Sequence, residues 1–168
     1  LAAMPQRPIV ETLVEQLAAI EGVEAIVLGG SVAQGTQTPQ SDVDLGIYYL
    51  PDIPFHIEDV RRVAQAVAVA PPTVTEFYGW GAWVNGGAWI HTELGKVDLL
   101  YRNYDQVMRA ILEAEKGITH QDYAQQPTYG YYSVGYLAET HICVPLYDPA
   151  GLIAELKARV AHYPPQLK

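Results

Sequence analysis

A chain of 168 residues is the size of one domain, and it buries roughly 70% of its unfolded surface, enough to fold without a disulfide or metal staple. With 49% hydrophobic and 17% charged residues it is not intrinsically disordered. Lys and Arg number 10 against 19 Asp and Glu; the formal charge of −9 makes a nucleic-acid polymer an unlikely partner but leaves room for a nucleotide whose charge is met by divalent cations.

Pro8 opens a predicted helix running to about Glu21, with Ile9, Leu13, Leu17 and Ile20 on one face and Gly22 as its stop. Glu24 to Leu28 reads as a buried strand ending in Gly29-Gly30-Ser31. A short helical turn over Ser31 to Gln34 and a polar loop to Ser41 follow. Asp42 to Tyr49 alternates as a strand, Pro51 to Pro54 marks a turn, and Ile57 to Val69 fits a helix closed by Pro71-Pro72. Thr73 to Tyr78, Ala88 to Thr92 and Lys96 to Tyr101 read as strands, the last two joined by a hairpin turn at Glu93 to Lys96. Asn103 is placed to cap a helix ending near Gly117. Tyr131 to Glu139 reads as a helix, Val144 to Tyr147 as a short strand and Leu152 to His162 as a last helix. The fold predicted is α+β (α/β-like), a mixed β-sheet flanked by helices.

The single cysteine, Cys143, allows no internal disulfide and no thiolate metal site, which suits a reducing cytosol. The first residues carry no apolar signal-peptide core, and no apolar run approaches the ~18 residues of a membrane span. A cytoplasmic protein with no membrane partner is therefore expected, and a chain starting at Leu1 is open to being part of a longer one.

The chemistry is concentrated in three short motifs. The strand running into Gly29-Gly30-Ser31 and a helical turn would present backbone N–H groups, with the Ser31 hydroxyl, to a phosphate; taken alone it is also an ordinary tight turn. In the next strand Asp42, Asp44, Gly46 and Tyr48 share one face, while Val43, Leu45, Ile47 and Tyr49 share an apolar one. Two adjacent carboxylates repel, and a pair of divalent cations about 3.5–4 Å apart would reverse that repulsion and hold a triphosphate. The same two acids also suit a solvated strand face. Lys96, Asp98, Leu100 and Arg102 share a face of a later strand. If that strand lies beside the Asp42 strand, three carboxylates converge at one metal site.

Gly-Gly-Ser, Asp-x-Asp on a strand and a lone Asp on a later strand together resemble the DNA polymerase-beta-type nucleotidyltransferase superfamily, most closely its bacterial antibiotic and minimal nucleotidyltransferases. The resemblance covers about Glu24 to Arg102. It implies that Gly29, Gly30 and Ser31 contact nucleotide phosphates. It implies that Asp42, Asp44 and Asp98 are the catalytic and metal-binding acids for two Mg²⁺ ions, Asp98 also helping to deprotonate the acceptor. It implies a nucleotidyltransferase core over residues 1–103 and a variable helical extension over 104–168 that binds the acceptor. No acceptor contact is assigned past Arg102. The chain ends soon after one helix, as in a truncated protein or a site completed by a homodimer mate or partner subunit.

Other residues carry less. Tyr129, Tyr131, Tyr132 and Tyr136 are either an aromatic wall for a base or a packed helix, and packing is the simpler reading. Trp80, Trp83 and Trp89 line a pocket rim or, more simply, a core or interface. His141 and Cys143 read as structural, Arg61 and Arg62 as a solvated helix surface, and Glu76 as an acid of undetermined direction. Lys96 and Arg102 are placed to pair with a phosphate or with Asp98. The function expected is a Mg²⁺-dependent nucleotidyltransferase moving a nucleoside monophosphate, AMP from ATP, onto a hydroxyl of a small-molecule acceptor. The charge favours a cationic acceptor such as an aminoglycoside antibiotic. The alternatives are transfer to a protein or tRNA in a toxin–antitoxin setting, or a silent nucleotide-binding domain.

Overall fold

The computed structural model describes residues 4–30, 42–118, 121–122, 131–132 and 135–161, the backbone alone for 121–122 and 131–132. Among the described residues the elements run in the order α1 (Arg7–Ala18), β1 (Ala25–Gly29), β2 (Val43–Tyr49), α2 (Ile57–Val67), β3 (Thr73–Val74), β4 (Gly87–Thr92), β5 (Gly95–Asn103), α3 (Tyr104–Glu115), β6 (Gln121–Asp122), β7 (Tyr131–Tyr132), α4 (Gly135–Ile142), β8 (Val144–Tyr147) and α5 (Leu152–Val160). Six strands form one mixed sheet, ordered β3-β4-β5-β2-β1-β8, and β6 pairs with β7 apart from it. Within the large sheet β2 and β5 pair in parallel and the other pairs are antiparallel.

Strand alternation builds two cores. Ile26, Leu28, Val43, Leu45, Ile47, Val97, Leu99 and Tyr101 face one way and pack with Leu13 and Leu17 of α1 and Val60 and Ala64 of α2. Ala25, Val27 and Tyr48 face the other way and pack with α3, α4 and α5 through Val107, Ile111, Leu137, Ile153 and Leu156. The fold is thus the α+β arrangement expected, with helices on both faces of a mixed sheet. Among the described residues no helix is long and apolar enough to cross a membrane.

The second helical layer covers the sheet only in part. Tyr48 and Arg102, near the ends of β2 and β5, are buried beneath it. Asp44 and Asp98, nearer the starts of those strands, are half-buried, and Trp89 of β4 is exposed. Among the described residues no helix lies over this part of the sheet face.

Several local expectations hold. Asn103 Oδ1 accepts a hydrogen bond from the Gln106 backbone N–H at 3.2 Å and caps α3. Glu93 and Leu94 form the hairpin tip between Thr92 and Gly95. Arg61 and Arg62 pair with Glu58 and Asp59 on the surface of α2.

Two expectations are corrected. The strand expected over Thr73 to Tyr78 is limited to Thr73 and Val74. Beyond it Tyr78 takes φ +61, and its backbone N–H donates to Asn85 Oδ1 at 2.7 Å, which turns the chain away from the sheet. The helix expected from Tyr131 begins only at Gly135, because Tyr131 and Tyr132 pair with Asp122 and Gln121 as a strand. β5 ends at Asn103, α3 begins at Tyr104, and the later stretch returns to the large sheet as β8.

The loop between β3 and β4 is pinned residue by residue. Gln106 Nε2 donates to Ala82 O at 2.7 Å, Tyr136 OH to Trp83 O, Arg102 Nη1 to Val84 O at 2.9 Å, and the Trp80 N–H to Asn85 O at 2.7 Å. Asn85 is buried at φ +75, and its Nδ2 donates to Tyr49 OH at 2.9 Å. A loop with four successive carbonyls bonded is held as firmly as a regular element.

Candidate metal and nucleotide site

Strand register creates a row across the sheet. Gly29 of β1 is the Cα partner of Asp44 of β2, Asp44 of Asp98 of β5, and Asp98 of Trp89 of β4. Neighbouring strands lie about 4.8 Å apart, and residues opposite each other point to the same face. Asp44 and Asp98, distant in sequence, therefore become adjacent carboxylates. Asp42 lies just before β2 and is more exposed.

The local electrostatics follow from that crowding. Burial, and then the charges of Asp98, Asp42 and Glu139, push the Asp44 carboxyl up to about 6, with Lys96 opposing. Burial also raises Asp98, opposed by the Lys96 ammonium and reinforced by Asp42. Asp98 Oδ1 is buried with no hydrogen-bond partner. Lys96 Nζ stands 3.5 Å from that atom and 3.6 Å from Asp42 Oδ2, a shared counter-charge for two of the three acids.

Gly30, which follows the end of β1, takes φ +66, a backbone conformation that costs a residue with a side chain. A β-carbon there would run into Asp44 Oδ2. The second glycine of the motif thus reserves the space of the first carboxylate of the row. Gly29 carries no such constraint, since a β-carbon on it would meet nothing within 4 Å. Ser31, the helical turn expected over 31–34 and the polar loop to 41 lie outside the described residues.

Among the described residues no three His, Cys, Asp or Glu side chains are grouped so as to hold a metal ion, so Asp42, Asp44 and Asp98 do not stand as the assembled three-acid cluster expected. The donor chemistry nevertheless fits a hard divalent cation. The donors are carboxylate oxygens, one is buried without a hydrogen bond, and Asp44 resists ionisation because it is partly buried and its neighbours are negative. Lys96 already shows that a positive charge settles between Asp42 and Asp98.

Arg102 does not join this group, although it shares the strand face of Asp98. Its Nε and Nη2 donate to Glu139 Oε2 and Oε1 at 3.0 and 2.8 Å, and its guanidinium lies 5.8 Å from the Tyr136 ring centre. It ties β5 to α4. Tyr136 is buried and packed; the side chains of Tyr129, Tyr131 and Tyr132 lie outside the described residues. His141 and Cys143 form no metal pair: Cys143 is buried, its thiol donates to Thr140 O at 3.3 Å, and burial pushes it up to about 11.

The expected pairing of Lys96 with Asp98 is present, and the positions of two further residues, Trp89 and Glu139, are set by the fold. Lys96 sits two residues before Asp98 on an alternating strand, so its proximity was readable but its bridging position was not. Trp89 lies between buried Ala88 and Ile90, a pattern that aims it at the opposite face. Glu139 reaches the neighbourhood of Asp44 only through the packing of α4.

No curated protein matches the chain. Residues 10–77 match the family model described as the nucleotidyltransferase domain, a span that holds Gly29, Gly30, Asp42 and Asp44 and stops before Asp98. Over residues 10–77 the chain is therefore similar to a nucleotidyltransferase domain.

Proposed function

We propose that this protein is a Mg²⁺-dependent nucleotidyltransferase that moves a nucleoside monophosphate, AMP from ATP, onto a hydroxyl of a small-molecule acceptor. The observation that carries the reading is the in-register pair Asp44 and Asp98, set beside the Gly30 turn on an uncovered sheet face. Asp42, Asp44 and Asp98 would hold two Mg²⁺ ions, which when bound neutralise the triphosphate and acidify the attacking hydroxyl. Gly29, Gly30 and Ser31 bind the phosphates through backbone N–H groups and the Ser31 hydroxyl. The acceptor oxygen forms a bond to the α-phosphorus as the bond from that phosphorus to the bridging oxygen breaks. Pyrophosphate leaves with the electron pair, and the hydroxyl proton passes to Asp98 and on to water.

The net charge of −9 supports a cationic acceptor, including an amino-sugar antibiotic, in a cytoplasmic protein. In this reading residues 1–103 form the catalytic core and 104–168 the extension that shapes the acceptor side, completed by a homodimer mate or partner subunit.

The test is incubation with Mg²⁺, each of the four nucleoside triphosphates and a panel of amino-sugar acceptors, following released pyrophosphate and acceptor mass. The expected result is ATP-dependent pyrophosphate release with an acceptor heavier by one AMP, absent in Asp98→Asn. A chain that binds no triphosphate in the presence of Mg²⁺ refutes the reading.

A further inference from the structure

The row of Gly29, Asp44, Asp98 and Trp89 ends on an indole that core packing does not explain. Trp89 is 46% exposed, although its strand neighbours Ala88 and Ile90 are fully buried. Its ring stacks on Trp80, with centroids 5.2 Å apart and planes at 25°. Trp80 belongs to the pinned loop, so the pair is a rigid aromatic surface and not a loose side chain. Lys96 Nζ lies 5.5 Å from the Trp89 ring centre while also facing Asp98 and Asp42. The face therefore already holds an ammonium between an indole and two carboxylates.

We infer that the Trp80–Trp89 pair is the acceptor platform: a hydroxylated ring carrying an ammonium group lies against Trp89 with a hydroxyl directed at Asp98. The inference rests on the proposed nucleotidyl transfer, which sets the order along the row. In-line displacement puts the attacking oxygen and the leaving pyrophosphate on opposite sides of the phosphorus. With the phosphates at Gly30, at one end, the attacking hydroxyl comes from the other end, where Trp89 stands. The apolar face of a saturated ring covers an indole well, and its ammonium meets the charge that Lys96 now answers. A planar base would stack there equally well, but it belongs to the nucleotide and not to the acceptor end of the row.

The chain has three tryptophans, so its indole N–H resonances report separately. The probes are glucosamine and 2-deoxystreptamine, with glucose as a neutral ring, added to the chain with Mg²⁺ and a non-hydrolysable ATP analogue. The expected result is that both amino rings shift the Trp89 and Trp80 signals, glucose does so less, and Trp83, which packs towards Tyr136, stays put. Trp89→Ala weakens amino-ring binding by roughly tenfold or more, and Trp89→Phe restores most of it. Thermal unfolding checks that both variants fold. The platform is refuted if amino rings leave Trp89 unmoved, or if Trp89→Ala binds them as well as wild type. It is also refuted if the ATP analogue alone moves Trp89 and Trp89→Ala weakens the analogue instead. Failure of the transfer reading is seen separately, as Gly29 and Gly30 amide signals that do not respond to the ATP analogue and Mg²⁺.

Discussion

Gly30 and Asp44 occupy a space with room for one side chain: the Asp44 carboxylate lies where a β-carbon on Gly30 would be. The glycine at the strand end and the acid on the next strand are therefore one steric unit, not two independent motifs. Gly30→Ala should cost about 1–2 kcal/mol for the positive φ and turn the Asp44 carboxylate aside. The turning is cheap in stability, because the obstructing atom is the end of a side chain, but it should remove the stabilisation by Mg²⁺ and triphosphate. Urea unfolding with and without those ligands measures both. An unchanged ligand increment would mean that the position of Asp44 does not matter for binding.

Arg102 makes a different prediction, because its charge is 6% exposed and satisfied from several directions. Arg102→Leu should destabilise the chain by about 2–4 kcal/mol, less than for a fully buried pair, since Glu139 is 29% exposed. It should also move Asp44. Glu139 already raises that carboxyl, and without the guanidinium its charge acts in full, so Asp44 should titrate above about 6. Carboxyl-carbon NMR of Asp44 in the variant decides the point; a lower value would show that Glu139 does not reach the site.

Asn85 governs the rigidity of the aromatic surface. Its side chain receives the Tyr78 N–H and donates to Tyr49 OH, and its own backbone sits at φ +75. Asn85→Ala should cost about 1–3 kcal/mol, and Asn85→Gly less, since glycine keeps the backbone conformation. Near-UV circular dichroism should lose the signal of the stacked Trp80 and Trp89 in both. A retained signal would show that the other loop bonds suffice.

What could be read from the sequence depended on whether the interaction was local. Alternation in β2 assigned Asp42 and Asp44 to the face opposite Val43 and Leu45, and the Asn103 cap was visible as a residue type at a helix start. The pairing of Asp44 with Asp98 was reached only on the condition that the two strands are neighbours and through the resemblance, because parallel register is set by a long crossover through α2, β3 and β4 and not by either strand's composition. The strand expected up to Tyr78 failed for a related reason: Thr, Phe and Tyr suit a strand, but Asn85, seven residues on, turns that backbone with its side chain. Alternation put Arg102 on the face of Asp98, yet its partner Glu139 arrives from a helix 37 residues later.

Asp44 supplies the test that separates a metal ligand from a structural acid. Its carboxyl titrates near 3.8 when unfolded and near 6 when folded, so between those values the folded state holds more protons. In the absence of metal, its contribution to stability is therefore most favourable below about pH 4, falls as pH rises to about 6, and stays low above that. Burial is the first cause and the neighbouring carboxylates the second, and neither acts on a neutral amide. Asp44→Asn should thus be more stable than wild type at pH 7 by on the order of 1–2 kcal/mol, the full shift being discounted because the group is partly solvated. The two proteins should converge at about pH 4. Mg²⁺ with ATP should raise the melting temperature of the wild type by mass action and leave the variant unmoved, since one ligand and one charge are gone. Thermal unfolding of both proteins at pH 4 and pH 7, with and without Mg²⁺ and ATP, gives all four comparisons. A variant that is less stable than wild type at pH 7 would make Asp44 a structural acid. A variant with the wild-type ligand increment would remove it from the metal site.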